Sequence, residues 1–137
     1  MTRATGEIDW KALERAASAV RKRAHAPYSR FLVGAALLAE DGRVFTGANV
    51  ENASYGLSLC AERGAIAAAI AAGVKKFRAI AIASAGARPA TPCGMCRQVM
   101  VEFPPSFPVL CFTASARVKS DTAALLPLGF GPSYLGR

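Results

Sequence analysis

The sequence predicts an α/β fold, a mixed sheet covered by helices on its faces, and three observations lead there. Apolar residues recur at helical spacing near the start, Asp41-Gly42 sits between two apolar runs as a hairpin turn, and two further apolar runs are separated by a second helical stretch. At 137 residues the chain can bury one hydrophobic core, so a single domain over 1–137 is expected.

Trp10, Leu13, Ala16, Ala17 and Val20 place an amphipathic helix between 9 and 24, with Asp9 positioned to cap its first turn. Pro27 and Ser29 interrupt it. Residues 31–38 and 44–46 then flank Asp41-Gly42 and predict two antiparallel strands. From Cys60 an alanine-rich helix runs to a stop at Gly73, and its composition predicts burial on most sides. Residues 77–84 read as an interior strand and 86–92 as a loop. A second motif-bearing helix starts near Cys93, carries Val99, Met100 and Phe103 as its apolar stripe, and stops at Pro104-Pro105. Residues 109–112 give another interior strand and 117–119 a short one. Ser120 or Asp121 is placed to cap a brief helix through Leu125, ahead of Pro127.

Hydrophobic residues make up 53% of the chain and charged residues 19%, too apolar for a disordered segment. No apolar stretch approaches the roughly 20 residues a bilayer span requires, so no membrane partner is expected. Residues 1–10 are polar and lack the apolar region of a secretory signal, which makes a cytoplasmic location the expectation. In such a compartment the four cysteines, Cys60, Cys93, Cys96 and Cys111, are poor disulfide candidates, and the glycosylation-like triplet Asn52-Ala53-Ser54 is a coincidence. The formal charge of +8 fits a nucleic-acid footprint or a solvated basic surface. The positive residues are scattered and no aromatic residues alternate with them, so no specific nucleic-acid partner is expected.

The sharpest signal is Cys60-Ala61-Glu62 followed by Pro92-Cys93-Gly94-Met95-Cys96, each at the opening of a predicted helix. Cys93 and Cys96 stand three apart and share a helix face, so both can reach one ion. With Cys60 they form a zinc site of three protein ligands, one ion per chain, whose fourth position stays open as in catalytic zinc. Helix starts favour thiolate over thiol at Cys60 and Cys93. Three thiolates leave the centre negative, and Arg63 can offset that charge by donating hydrogen bonds to the sulfurs. Glu62, beside a ligand but not one, is the candidate proton shuttle. Taken singly the pieces are ambiguous: Cys-x-x-Cys also fits a structural zinc ribbon or a redox pair, and Cys60 alone a buried apolar residue. His25, the only histidine, reads as a surface residue at the helix end, and Cys111 as core.

Cys-Ala-Glu-Arg at 60–63 and Pro-Cys-Gly-Met-Cys-Arg-Gln at 92–98 resemble the small homotetrameric cytidine deaminases. The segments at 26–31, 33–37, 49–55 and 125–127 are similar to family segments in family order. The resemblance implies a three-layer α/β/α sandwich with a mixed five-stranded sheet and active sites completed across subunit contacts. It implies hydrolysis of the 4-amino group of cytidine and 2′-deoxycytidine, giving the uracil nucleosides and ammonia, with Glu62 passing a proton to N3 and later to the departing amine. By the same resemblance Phe31 packs on the base, Asn49 and Glu51 bond the ribose hydroxyls, and Tyr55 and Phe130 are lent by neighbouring subunits. Phe130 alternatively anchors the tail to its own core. Met95 stands where the family commonly has Ala, His25 where it has an aromatic, and the chain is more basic. A modified cytosine nucleoside or an aminonucleoside antibiotic is the nearest alternative substrate. Polymer deaminases usually use His where Cys60 stands. A zinc-stabilised protein without turnover would have no reason to place Glu62 two residues after a ligand.

Overall fold

The computed structural model describes residues 6–137, so the polar opening read at 1–10 lies outside the described residues as far as residue 5. The helix α1 spans Trp10–Arg21, capped by Asp9, whose carboxylate accepts from the Ala12 N–H at 3.1 Å. It ends three residues before the boundary expected at 24, and Arg21 turns its Nε to the Leu32 carbonyl at 2.9 Å. Strands β1 (Gly34–Ala39) and β2 (Val44–Ala48) form the expected hairpin, with Gly42 at φ 95° in the turn. β1 starts later than the apolar run at 31–38 suggested. Arg30 adopts φ 58°, and the side chain of Asn49 instead of a neighbouring strand holds the backbone of Phe31 and Val33.

Helix α2 (Ala61–Ala71) follows, closed by Gly73 at φ 84° with the Val74 N–H on the Ala69 carbonyl at 3.0 Å. Its expected burial on most sides is corrected: Ala61, Glu62, Ala65, Ile66 and Ala69 are buried, while Ala67, Ala68, Ile70 and Ala71 are exposed. Alanine composition alone does not say which helix faces meet a neighbour. β3 (Phe77–Ala83), α3 (Gly94–Val101), β4 (Pro108–Phe112) and β5 (Arg117–Asp121) complete the order. The brief helix expected to end at Leu125 is a turn instead, in which the Asp121 carboxylate accepts from the Ala124 N–H at 2.8 Å and also from Ser106 Oγ. A short 3₁₀ segment at Pro132–Leu135, unforeseen in the sequence, closes on Gly136.

The sheet order is β2-β1-β3-β4-β5; β3 and β4 pair in parallel and every other pair is antiparallel, giving the mixed five-stranded sheet. Helix α1 covers one face and α2 with α3 the other, so the molecule has three layers. Strand alternation explains the division. Ala79, Ala81 and Ala83 of β3 meet Leu13 and Ala17 of α1, whereas Ile80 and Ile82 point to the cluster containing Ile66 and Met100. Gly47 sets the depth of the second layer. A Cβ there would strike the Ala61 carbonyl and the Ala65 N–H, so α2 lies directly on the backbone of β2.

Candidate metal centre and active site

Cys60 is the N-cap of α2 and Cys93 the N-cap of α3, with Cys96 one turn further along α3. Gly47 brings α2 down onto the sheet, and the parallel β3–β4 pair carries α3 across the same face. The three Sγ atoms lie within 4.8 Å of one another, and Cys60 Sγ is 3.6 Å from Cys93 Sγ. Sulfurs each about 2.3 Å from a tetrahedral ion stand roughly 3.8 Å apart, so this donor set fits zinc with little adjustment. The surroundings fit as well. Arg63 Nη2 donates to Cys60 Sγ at 3.4 Å, so a thiolate cluster suits that cation.

The electrostatics follow from this crowding. A hydrogen bond with Cys96, then one from Arg63, pushes the Cys60 thiol down to about 5, so it ionises first. Its partner Cys96 is pushed up, because the proton they share resides there and burial disfavours a second thiolate. Glu62, 5% exposed, is pushed up to about 7, first by burial and then by the Cys60 thiolate beside it. A carboxyl poised there can hold or release a proton at neutral pH.

Cys60, Cys93 and Glu62 line a cavity of about 270 Å³ together with Phe31, Asn49 and Glu51. The structure therefore brings these sequence-predicted residues to one place. The segment carrying Asn49 and Glu51, which without the family resemblance reads as a polar turn, is stitched on both sides. His25 bridges it in parallel and Leu59 antiparallel, the latter through Val50 at 2.9 and 2.8 Å. Asn49 accepts from the Val33 N–H at 2.9 Å and donates to the Phe31 carbonyl at 2.9 Å, which leaves it one lone pair and one N–H for a ligand. Glu51 accepts from the N–H groups of Tyr28 and Ser29 at 3.1 Å and from Ser29 Oγ. Those bonds, Ser29 Oγ foremost, hold its carboxyl below the usual range and keep it ionised.

Tyr55 and Phe130 are not among the groups lining this cavity. Tyr55, 74% exposed, packs edge-on to Tyr28 at 5.9 Å beside a neighbouring depression of about 380 Å³ that shares Ser29 and Glu51 with the cavity. Phe130 is 55% exposed and stacks on Tyr134 at 5.1 Å. Its ring does not enter the core of its own chain. Met95 points outward and His25 is exposed, the latter in the bridge to Val50 rather than at a helix end. Cys111 is core, its thiol pushed up to about 12 by burial. Sequence reasoning missed Ser29, whose hydroxyl orients Glu51, and it left Arg97 and Gln98 without a role although both stand within the quoted motif.

The chain is similar to known proteins in sequence and in fold. A family model described as the cytidine and deoxycytidylate deaminase zinc-binding region matches residues 8–111. The cytidine deaminase of Sporosarcina psychrophila is 44% identical over 117 residues, covering 84% of this chain and 86% of that protein. That of Mycobacterium tuberculosis is 42% identical over 131 residues, 96% of each chain. The crystal structure of cytidine deaminase from Burkholderia pseudomallei superposes with a TM-score of 0.86 at 47% identity, covering 90% of this chain and all of that one. With that match over residues 8–111 and three thiols converging at the starts of α2 and α3, the chain belongs to the zinc-binding cytidine and deoxycytidylate deaminase family.

Proposed function

We propose that the protein hydrolyses cytidine and 2′-deoxycytidine to the corresponding uracil nucleosides and ammonia. A single observation carries this: a buried carboxyl poised near neutrality opens onto the same cavity as the converging thiols. Cys60, Cys93 and Cys96 would hold zinc, which when bound would supply a Lewis acid that makes water nucleophilic near neutral pH. Glu62 would take a proton from the attacking water and deliver it to N3 as oxygen bonds to C4, then carry the remaining proton of the new C4 hydroxyl to the 4-amino group as the C4–N bond breaks. Arg63 offsets the thiolate charge through its contact with Cys60. Phe31 offers a ring to the base, and Asn49 and Glu51 offer acceptors and a donor to the ribose hydroxyls. A free base, with no sugar hydroxyl to offer, would leave those polar groups unmatched, at a cost on the order of 1–3 kcal/mol.

We further propose one catalytic domain over 1–137, assembled as a homotetramer in the cytosol, with Tyr55 and Phe130 lent to neighbouring sites. Support comes from their exposure, from the exposed apolar face of α2, and from the outward-turned Phe130 ring. Among the described residues no helix is long and apolar enough to cross a membrane. The test is the ultraviolet absorbance change on mixing zinc-loaded protein with cytidine, deoxycytidine, cytosine and adenosine in parallel. Loss of the two cytosine-nucleoside signals alone is the expected result. No change in all four, with one zinc per chain, overturns the nucleoside assignment and turns attention to modified nucleosides.

A further inference from the structure

Two side chains directly after the last cysteine of the motif reach away from the cavity and hold other segments. Arg97 Nε donates to the Pro92 carbonyl at 2.7 Å, Nη2 to Thr91 Oγ1 at 3.2 Å and Nη1 to the Leu125 carbonyl at 3.1 Å. Gln98 Nε2 donates to the Phe130 carbonyl at 2.8 Å. Thr91 and Cys93 line the cavity, and Pro92 between them is buried and has no N–H with which to anchor itself. The Cys93 side chain makes no capping bond either. The guanidinium thus holds the strand-to-helix loop that carries Cys93 at two points and ties it to Leu125 at a third.

The same pair grips the tail. Between Leu125 and Phe130 the chain is irregular: Leu128 is fully exposed at φ 58°, and the local backbone bonds are turns such as the Gly129 N–H to the Leu126 carbonyl at 3.1 Å. Arg97 fixes the first end of this stretch and Gln98 the last. We infer that Arg97 and Gln98 are positioning residues: Arg97 sets the Cys93 loop for metal retention, and the pair tethers the Phe130 arm to the helix that bears the metal ligands. The metal and arm statements stand on the geometry alone; the consequence for substrate rests on the nucleoside reading above.

The planar fork of arginine matches three acceptors at once, which a lysine ammonium on a flexible stem cannot. The experiment compares the zinc-loaded full chain with Arg97→Met, Arg97→Lys and Gln98→Leu. It follows zinc transfer to a chromogenic chelator, hydrogen exchange at residues 125–130, thermal melting, and KM and kcat for cytidine. Arg97→Met is expected to release zinc on the order of tenfold faster, the scale seen when groups orienting a metal ligand are removed. Arg97→Lys should not restore the parental rate. Gln98→Leu should release zinc at the parental rate, exchange the Gly129 amide roughly fivefold faster and raise KM roughly fivefold, the scale of one hydrogen bond, with less effect on kcat. Parental zinc release in Arg97→Met, or full rescue by lysine, overturns the metal statement. Should the methionine variant fail to fold, the lysine variant decides it. Unchanged exchange at 125–130 in Gln98→Leu overturns the arm statement. If the parent fails to turn over cytidine, the nucleoside reading falls, while zinc release and exchange still decide the positioning roles.

Discussion

Replacing Glu62 by Gln in the zinc-free chain should stabilise the protein at alkaline pH and leave it unchanged near pH 4.5. The carboxyl rises from an ordinary value of 4.5 to about 7 in the folded state, chiefly through burial. Because the folded value is the higher one, the folded state binds more protons between these limits. The parent's contribution is therefore complete at low pH and lost as pH climbs from about 4.5 to about 7. At 1.36 kcal/mol per unit this is about 3 kcal/mol at pH 8, an upper figure for a group that is 5% exposed. Glutamine fills the same space without a charge and escapes that loss. For a chain of 137 residues such a difference is about 10 °C in melting temperature. Scanning calorimetry of both metal-free proteins from pH 4.5 to 8 reads it directly. Coincident melting temperatures at pH 8, or a gap that grows toward acid, would refute the burial argument for a poised carboxyl.

With zinc restored, the same Glu62→Gln variant should keep its metal and lose roughly 10² to 10⁴-fold in kcat, measured by the absorbance assay with zinc analysis alongside. Cys96→Ala should abolish stoichiometric zinc binding, whereas Cys111→Ala, in the core cluster, should keep it; metal analysis after dialysis separates them. Gly47→Ala should destabilise by about 1–3 kcal/mol or more in urea, because a methyl group meets the backbone of α2 with no side chain free to yield. Asn49→Ala removes both bonds that pin the Phe31–Val33 backbone, so it should cost about 1–3 kcal/mol in urea melts and raise KM for cytidine.

Much was legible because short-range chemistry dictated it. Asp9 caps α1 as its position foretold, Asp41-Gly42 makes the hairpin, Gly73 ends α2, and Pro104-Pro105 follows the end of α3. Each is a local rule, satisfied within a few residues. The spacing of Cys93 and Cys96 is of the same kind, since one helical turn fixes it, and a carboxyl two residues from Cys60 marked the candidate acid before any fold was drawn.

The failures share a cause. The strand expected from residue 31 starts at Gly34 because a side chain 16 residues away from Val33 holds that backbone, and the helix expected through Leu125 is only a turn held by Asp121 and Ser106. The exposed side of α2 is as alanine-rich as its buried side, so composition could not tell them apart.

The sequence by itself determined the donor set, the candidate acid proposed here and the order of elements, because these depend on residue type and on neighbours within a turn. Only the tertiary structure decided that Cys60 meets Cys93 and Cys96, through the close approach of α2 at Gly47 and the parallel crossover into α3. It alone buried Glu62, and with it supplied the raised affinity for a proton, since desolvation is a property of the surrounding fold and not of the residue.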